Sequence, residues 1–207
     1  MNYPKDLEIL INHYQKLPGI GEKSAERLAI ATLEFSEEEV NDFSKAMIEA
    51  KKNLTRCSIC GHLTDQEICN ICSDENPNKN VICVIEDYKS IFSFEKTGTF
   101  QGTYHVLNGL ISPMDDIGPE DINLSSLLSR IEKLDNPELI LALKPTVEGE
   151  ATTLYIKKIL ENKKVTISRL SNGIPIGAEI DYLDNVCLLY TSPSPRDLST
   201  SRMPSSA

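Results

Sequence analysis

The chain has 207 residues, of which 40% are apolar and 25% are charged, and its formal net charge at pH 7 is −10. This balance is typical of one sizeable or two small globular domains and argues against wholesale disorder. No apolar run is long enough to span a membrane, and the charged N-terminus lacks the apolar core of a signal peptide, so we expect a cytoplasmic protein. The acidic charge also argues against a protein that coats nucleic acid with basic residues.

Residues 1–55 are predicted to form a small helical domain. The first helix carries one apolar stripe at the spacing of a helix face, formed by Leu7, Leu10, Ile11 and Tyr14. Proline and glycine interrupt the pattern at residues 17–21, and a second helix follows from Glu22. Ser36 and Glu39 have the spacing of a capping box, which predicts a third helix. We expect this helix to turn its apolar side chains inward, namely Val40, Phe43 and Met47.

The break between the first two helices indicates a phosphate-binding turn. Gly19 and Gly21 allow a tight turn and a close approach of the backbone to a ligand. The second helix then offers unpaired N–H groups and the positive end of its dipole. Lys23 and Arg27 lie four residues apart on one face and would flank the phosphate, so DNA would be bound through its backbone without sequence specificity. The alternative is that the two glycines merely join packed helices.

Two Cys-x-x-Cys knuckles predict a zinc finger within residues 56–80. Its ligands would be Cys57, Cys60, Cys69 and Cys72. Such knuckles let a short loop close tetrahedrally around one Zn²⁺, and four protein thiolates leave no open position, so the site would be structural. Two disulfides are disfavoured by the expected compartment, and a redox pair is disfavoured by the presence of two matched pairs. We interpret the neighbouring His62 as a bystander.

From residue 81 to residue 188 the pattern indicates an α/β domain. Three apolar runs are typical of strands that a parallel sheet buries on both faces. They span residues 81–85, 139–143 and 165–168. Helical stretches at residues 124–134 and 151–160 separate them, as in strand–helix–strand units. His105 lies in an apolar segment without an evident nucleophile or acid partner, so we interpret it as a hydrogen-bonded structural residue.

Carboxylates follow the first two predicted strands. They are Glu86, Asp87, Glu148 and Glu150. Sites in α/β sheets form at the carboxyl ends of strands, and converging carboxylates there would hold Mg²⁺ through oxygen ligands. Equally, these residues are acids at helix N-termini, where a negative charge favours the helix dipole; Glu150 would then precede a helix that begins at Ala151. Both interpretations stay open at this point.

The order of these features resembles the RecR family of bacterial recombination mediators. The matching segments lie between about residue 5 and residue 186 and include residues 17–29, 102–107, 111–113, 145–152 and 173–177. The resemblance implies that residues 1–55 form a helix-hairpin-helix domain and residues 81–188 a Toprim domain. It implies DNA contacts at Lys23 and Arg27 and zinc at the four cysteines. The acidic residues would fall on the Toprim cluster, which is catalytic in topoisomerases and primases but is thought to serve partner and DNA binding in this family.

The resemblance also implies a non-enzymatic function in the recombinational repair of gaps and damaged DNA. Such proteins act with RecO and RecF to help load RecA on single-stranded DNA, bind single- and double-stranded DNA, and form dimers or tetrameric rings. The expected location is the cytoplasm, in association with the nucleoid. The alternative is a Toprim nuclease or primase that uses Mg²⁺, for which Glu148 and Glu150 have suitable spacing. Lys144 stands where the family usually has Asn.

The last stretch of the chain, residues 189–207, departs from the resemblance. It is rich in Ser, Thr and Pro and too poor in apolar residues to bury a core, so we predict that it is disordered. The family continues at this point with an ordered end that carries Ala, Leu and Arg. We therefore interpret residues 189–207 as a foreign segment; if the family's ordered end contributes to ring assembly, its replacement would affect tetramer formation.

Overall fold

Two helices form the core of the first unit of the protein. The structure, a computed structural model, describes residues 3–75 and 78–170, and its first unit ends at Leu54. Helix α1 (Lys5–Gln15) packs on α2 (Glu22–Leu33), with Ile11, Ala25 and Ala29 buried between them. Alanine at two positions one turn apart lets the helices approach closely, and the Tyr14 hydroxyl meets the Thr32 hydroxyl at 2.6 Å.

Helix α3 (Glu37–Asn53) begins as predicted but does not turn its apolar face inward. The capping box is confirmed, since the Glu39 carboxylate accepts from the Ser36 N–H at 2.8 Å and the Ser36 hydroxyl accepts from the Glu39 N–H at 3.3 Å. The predicted inner face is wrong: Val40, Phe43 and Met47 are 36%, 46% and 54% exposed. Helical periodicity identifies a face that can be buried, but it does not say which surface buries it.

The second unit begins at Thr55 and opens with the cysteine knuckles. Strands β1 (Thr55–Arg56) and β2 (Leu63–Thr64) pair antiparallel around the first knuckle, and the short helix α4 (Asn70–Ser73) carries the end of the second. Gly61 closes the first turn with a φ of 77°, a left-handed conformation that favours glycine.

A parallel sheet of four strands, in the order β4-β3-β5-β6, forms the body of the second unit. Its strands are β3 (Val81–Ile85), β4 (Thr103–Val106), β5 (Glu138–Ala142) and β6 (Thr166–Arg169). Helices α5 (Lys89–Thr97), α6 (Leu124–Ile131) and α7 (Val147–Leu160) connect them. The predicted fold class is confirmed. Strand β4 and helix α5 were not predicted.

The sheet is covered on both faces, which accounts for the unbroken apolar run of β3. Ile82 and Val84 belong to a core that includes residues of α6 and α7, whereas Cys83 and Ile85 belong to a second core that includes Ile91 of α5. Side chains alternate between the faces of a strand, so a strand covered twice needs apolar residues at every position. The predicted tail and the segment 173–177 lie outside the described residues.

His105 is a structural residue of β4, as the sequence predicted. It is 0% exposed, and its Nε2 lies 2.8 Å from the Asn123 carbonyl oxygen, so the neutral ring donates there. The Asn123 side chain in turn donates to the Val106 carbonyl oxygen at 3.1 Å. Among the described residues, Nδ1 of His105 has no hydrogen-bond partner. This buried ring therefore links β4 to the start of α6.

Burial makes the stability of this unit depend on pH. Burial lowers the pKa of His105 to about 4, against about 6.5 in an unfolded chain. The stabilisation by the neutral ring is therefore complete above pH 6.5 and is lost as the pH falls towards 4, by about 3 kcal/mol in all. We expect His105→Gln, which keeps a donor to Asn123, to remove this part of the pH dependence. Urea unfolding of both proteins between pH 4 and pH 7 measures it, and identical profiles would contradict the assignment.

Candidate zinc centre and DNA-binding hairpin

The four knuckle cysteines meet as the sequence predicted. Cys57, Cys60, Cys69 and Cys72 are all buried, and their sulfur atoms lie within 4.8 Å of one another. The Cys60 and Cys69 sulfurs are 3.5 Å apart. Four thiolates at this separation repel one another unless a cation lies between them, and four soft sulfur ligands in a closed site suit Zn²⁺. The residues present therefore fit a structural zinc ion, which would tie β1 to α4.

Backbone N–H groups support the thiolate form of the ligands. The His62 N–H donates to the Cys60 sulfur at 3.4 Å, and the Cys69 N–H donates to the Cys57 sulfur at 3.3 Å. Burial raises the pKa of Cys57, but the N–H groups of Cys69 and Cys60 outweigh it and bring the pKa to about 7. A hydrogen bond with Cys72, together with burial, raises the pKa of Cys60. A bound dication would favour the thiolates, because a coordinating thiol is deprotonated.

His62 lies beside the knuckle without joining the cysteine cluster. The group of metal-capable side chains found among the described residues contains cysteines alone. The His62 ring instead packs edge-on against Phe92 of α5, with 5.2 Å between centroids. His62 contributes to the zinc centre only through its backbone, because its N–H donates a hydrogen bond to the Cys60 sulfur.

The knuckle is attached to the parallel sheet by its backbone. The Val106 N–H at the end of β4 donates to the Cys60 carbonyl oxygen at 2.8 Å. A side chain at Gly61 would lie 3.1 Å from the Val106 Cβ, so glycine permits this close contact. The Arg56 guanidinium also lies 3.9 Å from the centroid of the Tyr88 ring, a cation–π contact just beyond β3. Metal binding at the cysteines would therefore stabilise this end of the sheet.

The glycine turn between α1 and α2 leads directly into the start of α2. Gly19 has a φ of 80°, whereas Gly21 is extended and is the N-cap of α2. Its N-cap residue, Gly21, has no side chain that could accept a hydrogen bond, so the first N–H groups of α2 lack an N-cap acceptor. Lys23 and Arg27 are exposed one turn apart, while Ala25 between them is buried against α1. The turn thus presents open amides, a helix dipole and two cations on one exposed surface.

The acidic residues lie at the carboxyl edge of the sheet, two of them inside a helix. Glu86 and Asp87 follow β3 directly. Helix α7 begins at Val147, with the Thr146 hydroxyl accepting from the Gly149 N–H at 3.3 Å. The prediction that the helix begins at Ala151 is therefore wrong, and Glu148 and Glu150 occupy its first turn. Thr146 is an N-cap residue, which moves the start of the helix ahead of both acids.

Basic side chains that the sequence analysis did not assign to the site pair with two of these acids. The Lys144 ammonium lies 3.0 Å from each carboxylate oxygen of Glu86. The Arg169 guanidinium binds the Glu150 carboxylate through two hydrogen bonds of 3.0 and 2.6 Å, which lower the pKa of Glu150. Lys144 follows β5 and Arg169 ends β6, so the rule that sites form at strand ends could have found both.

The second unit combines a four-cysteine knuckle with a parallel sheet that carries acidic residues at its carboxyl edge, and the first unit is a helical pair joined by a glycine turn. Family models match residues 7–51 as the RecR helix-hairpin-helix, residues 54–74 as the RecR four-cysteine zinc finger domain and residues 80–171 as a Toprim domain. The recombination protein RecR of Staphylococcus aureus (strain MRSA252) is 46% identical over 188 residues, which cover 91% of this chain and 95% of that protein. The chain belongs to the RecR family.

The described helices also bear on the membrane prediction. Within residues 3–75 and 78–170, no helix is both long enough and apolar enough to cross a membrane.

Proposed function

We propose that the protein is a non-enzymatic recombination mediator that binds DNA backbone through the α1–α2 turn. The observation that carries the proposal is the uncapped start of α2, with Gly19 and Gly21 before it and Lys23 and Arg27 exposed along its first turns. Phosphate oxygens would accept from the open amides, and the two cations would neutralise neighbouring phosphates. Binding of this kind does not read bases, so single- and double-stranded DNA are both suitable partners. DNA affinity measured at two salt concentrations tests it.

Gly21 distinguishes a ligand-binding turn from a purely structural one. A side chain at Gly21 would meet no atom of the described chain within 4 Å, and its backbone conformation suits any residue. Nothing in the described part of the chain therefore requires glycine at this position. A phosphate drawn to the first amides of α2 would come close to this Cβ position, which supplies a reason for glycine.

Gly21→Ala is expected to weaken DNA binding by about fivefold, which corresponds to about 1 kcal/mol of binding free energy, while the fold persists. Gly19→Ala should behave differently, since a φ of 80° strains any other residue and the turn itself would lose stability. Fluorescence anisotropy with labelled DNA, paired with thermal unfolding, separates the two effects. Unchanged DNA affinity in Gly21→Ala would show that the turn does not contact phosphate.

Assembly of several copies accounts for DNA binding by an acidic chain. The exposed face of α3 carries Val40, Phe43, Met47 and Ile48, and a groove of about 520 Å³ in the same unit is lined mainly by Leu7, Ile9, Leu10 and Leu33. We propose that second copies of the chain cover these surfaces in a dimer or a tetrameric ring. Each copy adds one weak DNA site, and linked sites bind far more tightly than one. The net charge of −10 then does not preclude DNA binding.

The carboxyl edge of the sheet supplies a surface for protein partners. A cavity of about 450 Å³ lies there, lined by Arg56, Glu86, Asp87, Tyr88, Asn108 and Gly109. Two apolar side chains of the same unit, Met114 and Val147, are 94% and 82% exposed. Mixed acidic and apolar surface suits basic protein partners. We propose RecO and RecF as these partners, with the assembly helping to load RecA on single-stranded DNA in the cytoplasm, near the nucleoid.

The alternative function is a nuclease or primase that uses Mg²⁺. The spacing of Glu148 and Glu150 at the carboxyl edge favours it, since Toprim enzymes use acids at this position. Its test is DNA cleavage or primer synthesis in the presence of Mg²⁺. We expect neither reaction, whereas a Mg²⁺-dependent reaction lost in Glu86→Gln would establish the alternative.

A further inference from the structure

Three of the four carboxylates that a Toprim fold would offer to Mg²⁺, those of Glu86, Glu148 and Glu150, are each bound by a different group of the chain itself. Lys144 contacts both oxygens of Glu86 at 3.0 Å, and Arg169 binds both oxygens of Glu150. The Glu148 carboxylate accepts hydrogen bonds from its own backbone N–H and from the Thr146 side chain, and these bonds lower its pKa. This carboxylate therefore binds groups at the start of α7. Among the described residues, the cluster able to hold a metal does not include these acids.

Of these three carboxylates, Glu86 says most about metal binding, because its side chain is partly buried. One of its oxygens, Oε2, is shielded from solvent and accepts no hydrogen bond within the described chain. The Lys144 ammonium lies 3.0 Å from that oxygen and supplies its positive charge. A carboxylate oxygen removed from water needs a positive partner to remain ionised. In a metal-using site that partner would be a hydrated dication, which needs two or more oxygen ligands free to turn towards it.

Gly149 lets the start of α7 pack directly against the backbone of Lys144. A side chain at Gly149 would collide with the Lys144 carbonyl oxygen, so the start of α7 packs directly on the segment that carries the lysine. The Thr146 hydroxyl, bound to the Gly149 N–H, closes the same turn. The backbone that follows β5 is therefore held close to the helix, and its lysine side chain reaches Glu86 across the edge of the sheet.

We propose that Lys144 takes the place of a divalent cation at the carboxyl edge. The negative charge of the carboxylates there is then balanced by side chains of the protein itself, and this Toprim domain does not bind Mg²⁺. While Lys144 pairs with Glu86 and Arg169 with Glu150, the described residues do not fit a magnesium ion, because these two carboxylates already have cationic partners. The arrangement of side chains at the carboxyl edge of the sheet should then be the same with and without Mg²⁺. This inference concerns metal binding and is independent of DNA binding at the α1–α2 turn.

Thermal unfolding of the zinc-loaded full chain, with and without about 10 mM MgCl₂ at constant ionic strength, tests the proposal. The Tm of the wild type should not change with Mg²⁺. Lys144→Met should unfold at a lower temperature, and Mg²⁺ should raise its Tm by about 3–6 °C, as expected for a dissociation constant near 1 mM. Adding Glu86→Gln to this variant should abolish the increase.

Lys163→Met is the matched control. Lys163 forms an ion pair of 2.6 Å with Glu132 away from the three acids, so its loss changes the net charge equally but should create no Mg²⁺ response. Titration of the wild type with Mn²⁺, followed by electron paramagnetic resonance, does not depend on how the variants fold and should show no saturable site below about 10 mM. Saturable Mn²⁺ binding by the wild type that Glu86→Gln removes, or a Lys144→Met protein without a Mg²⁺ response, would overturn the proposal.

Discussion

Replacing Lys23 and Arg27 together by alanine is expected to lower the affinity for DNA on the order of a hundredfold at low salt. Each cation is proposed to make one charge-assisted hydrogen bond to phosphate, worth about 1.5 kcal/mol, and about 3 kcal/mol corresponds to two powers of ten. Both side chains are exposed, so the fold should persist. The salt dependence should also weaken, by about one unit of slope for each phosphate that is no longer neutralised. Fluorescence anisotropy with labelled single- and double-stranded DNA measures both quantities.

Lys51→Ala with Lys52→Ala is the matched control for this experiment. These lysines are exposed at the end of α3 in the same unit, and their removal changes the net charge by the same amount. If the α1–α2 turn binds phosphate, the control should retain most of its affinity. Equal losses in the two double variants would mean that overall charge, and not the turn, governs DNA binding.

Removing a knuckle thiol is expected to cost the protein its zinc and a large part of the stability of its second unit. At a zinc concentration about a thousandfold above the dissociation constant, binding to the folded state contributes about 4 kcal/mol. Cys69→Ala should therefore lower the Tm by roughly 10 °C, and a chelator should do the same to the wild type. Because the Val106 N–H bonds to the Cys60 carbonyl oxygen, amide exchange at the end of β4 should accelerate as well.

Cys83→Ala provides the comparison, since it also removes a buried thiol. Cys83 lies in β3, outside the cysteine cluster, and is 1% exposed. Its loss should lower stability modestly through the cavity left behind, and zinc content should stay at about one ion per chain by mass spectrometry. A wild-type protein without zinc, or a Cys69→Ala protein that retains it with unchanged stability, would contradict the assignment.

The zinc centre and the hairpin could be predicted because both are local in sequence. The cysteine spacing alone brings the four sulfurs within reach of one ion, and the Cys69 N–H bonds to a sulfur only 12 residues away. The turn at Gly19 and Gly21 likewise depends on backbone preferences that act over a few residues. The start of α3 was predicted for the same reason, since a capping box spans four positions.

Features that depend on distant parts of the chain could not be predicted in the same way. Glu86 and Lys144 are 58 residues apart, and their pairing follows from the parallel order of β3 and β5. Periodicity predicts that the apolar face of α3 is buried, but it does not identify the surface that covers this face. Strand β4 was missed since its four residues include Thr, Tyr and His, whose burial depends on hydrogen bonds to Val81, Glu95 and Asn123.

RecA filament assembly on gapped DNA coated with single-strand-binding protein is the decisive measurement of the proposed mediator function. The zinc-loaded chain, added with RecO and Mg²⁺, should shorten the lag before RecA assembles, and the Lys23→Ala, Arg27→Ala protein should not. The DNA should remain intact throughout. An unchanged lag together with Mg²⁺-dependent cleavage of the DNA would contradict the mediator function, because the protein would then act as an enzyme.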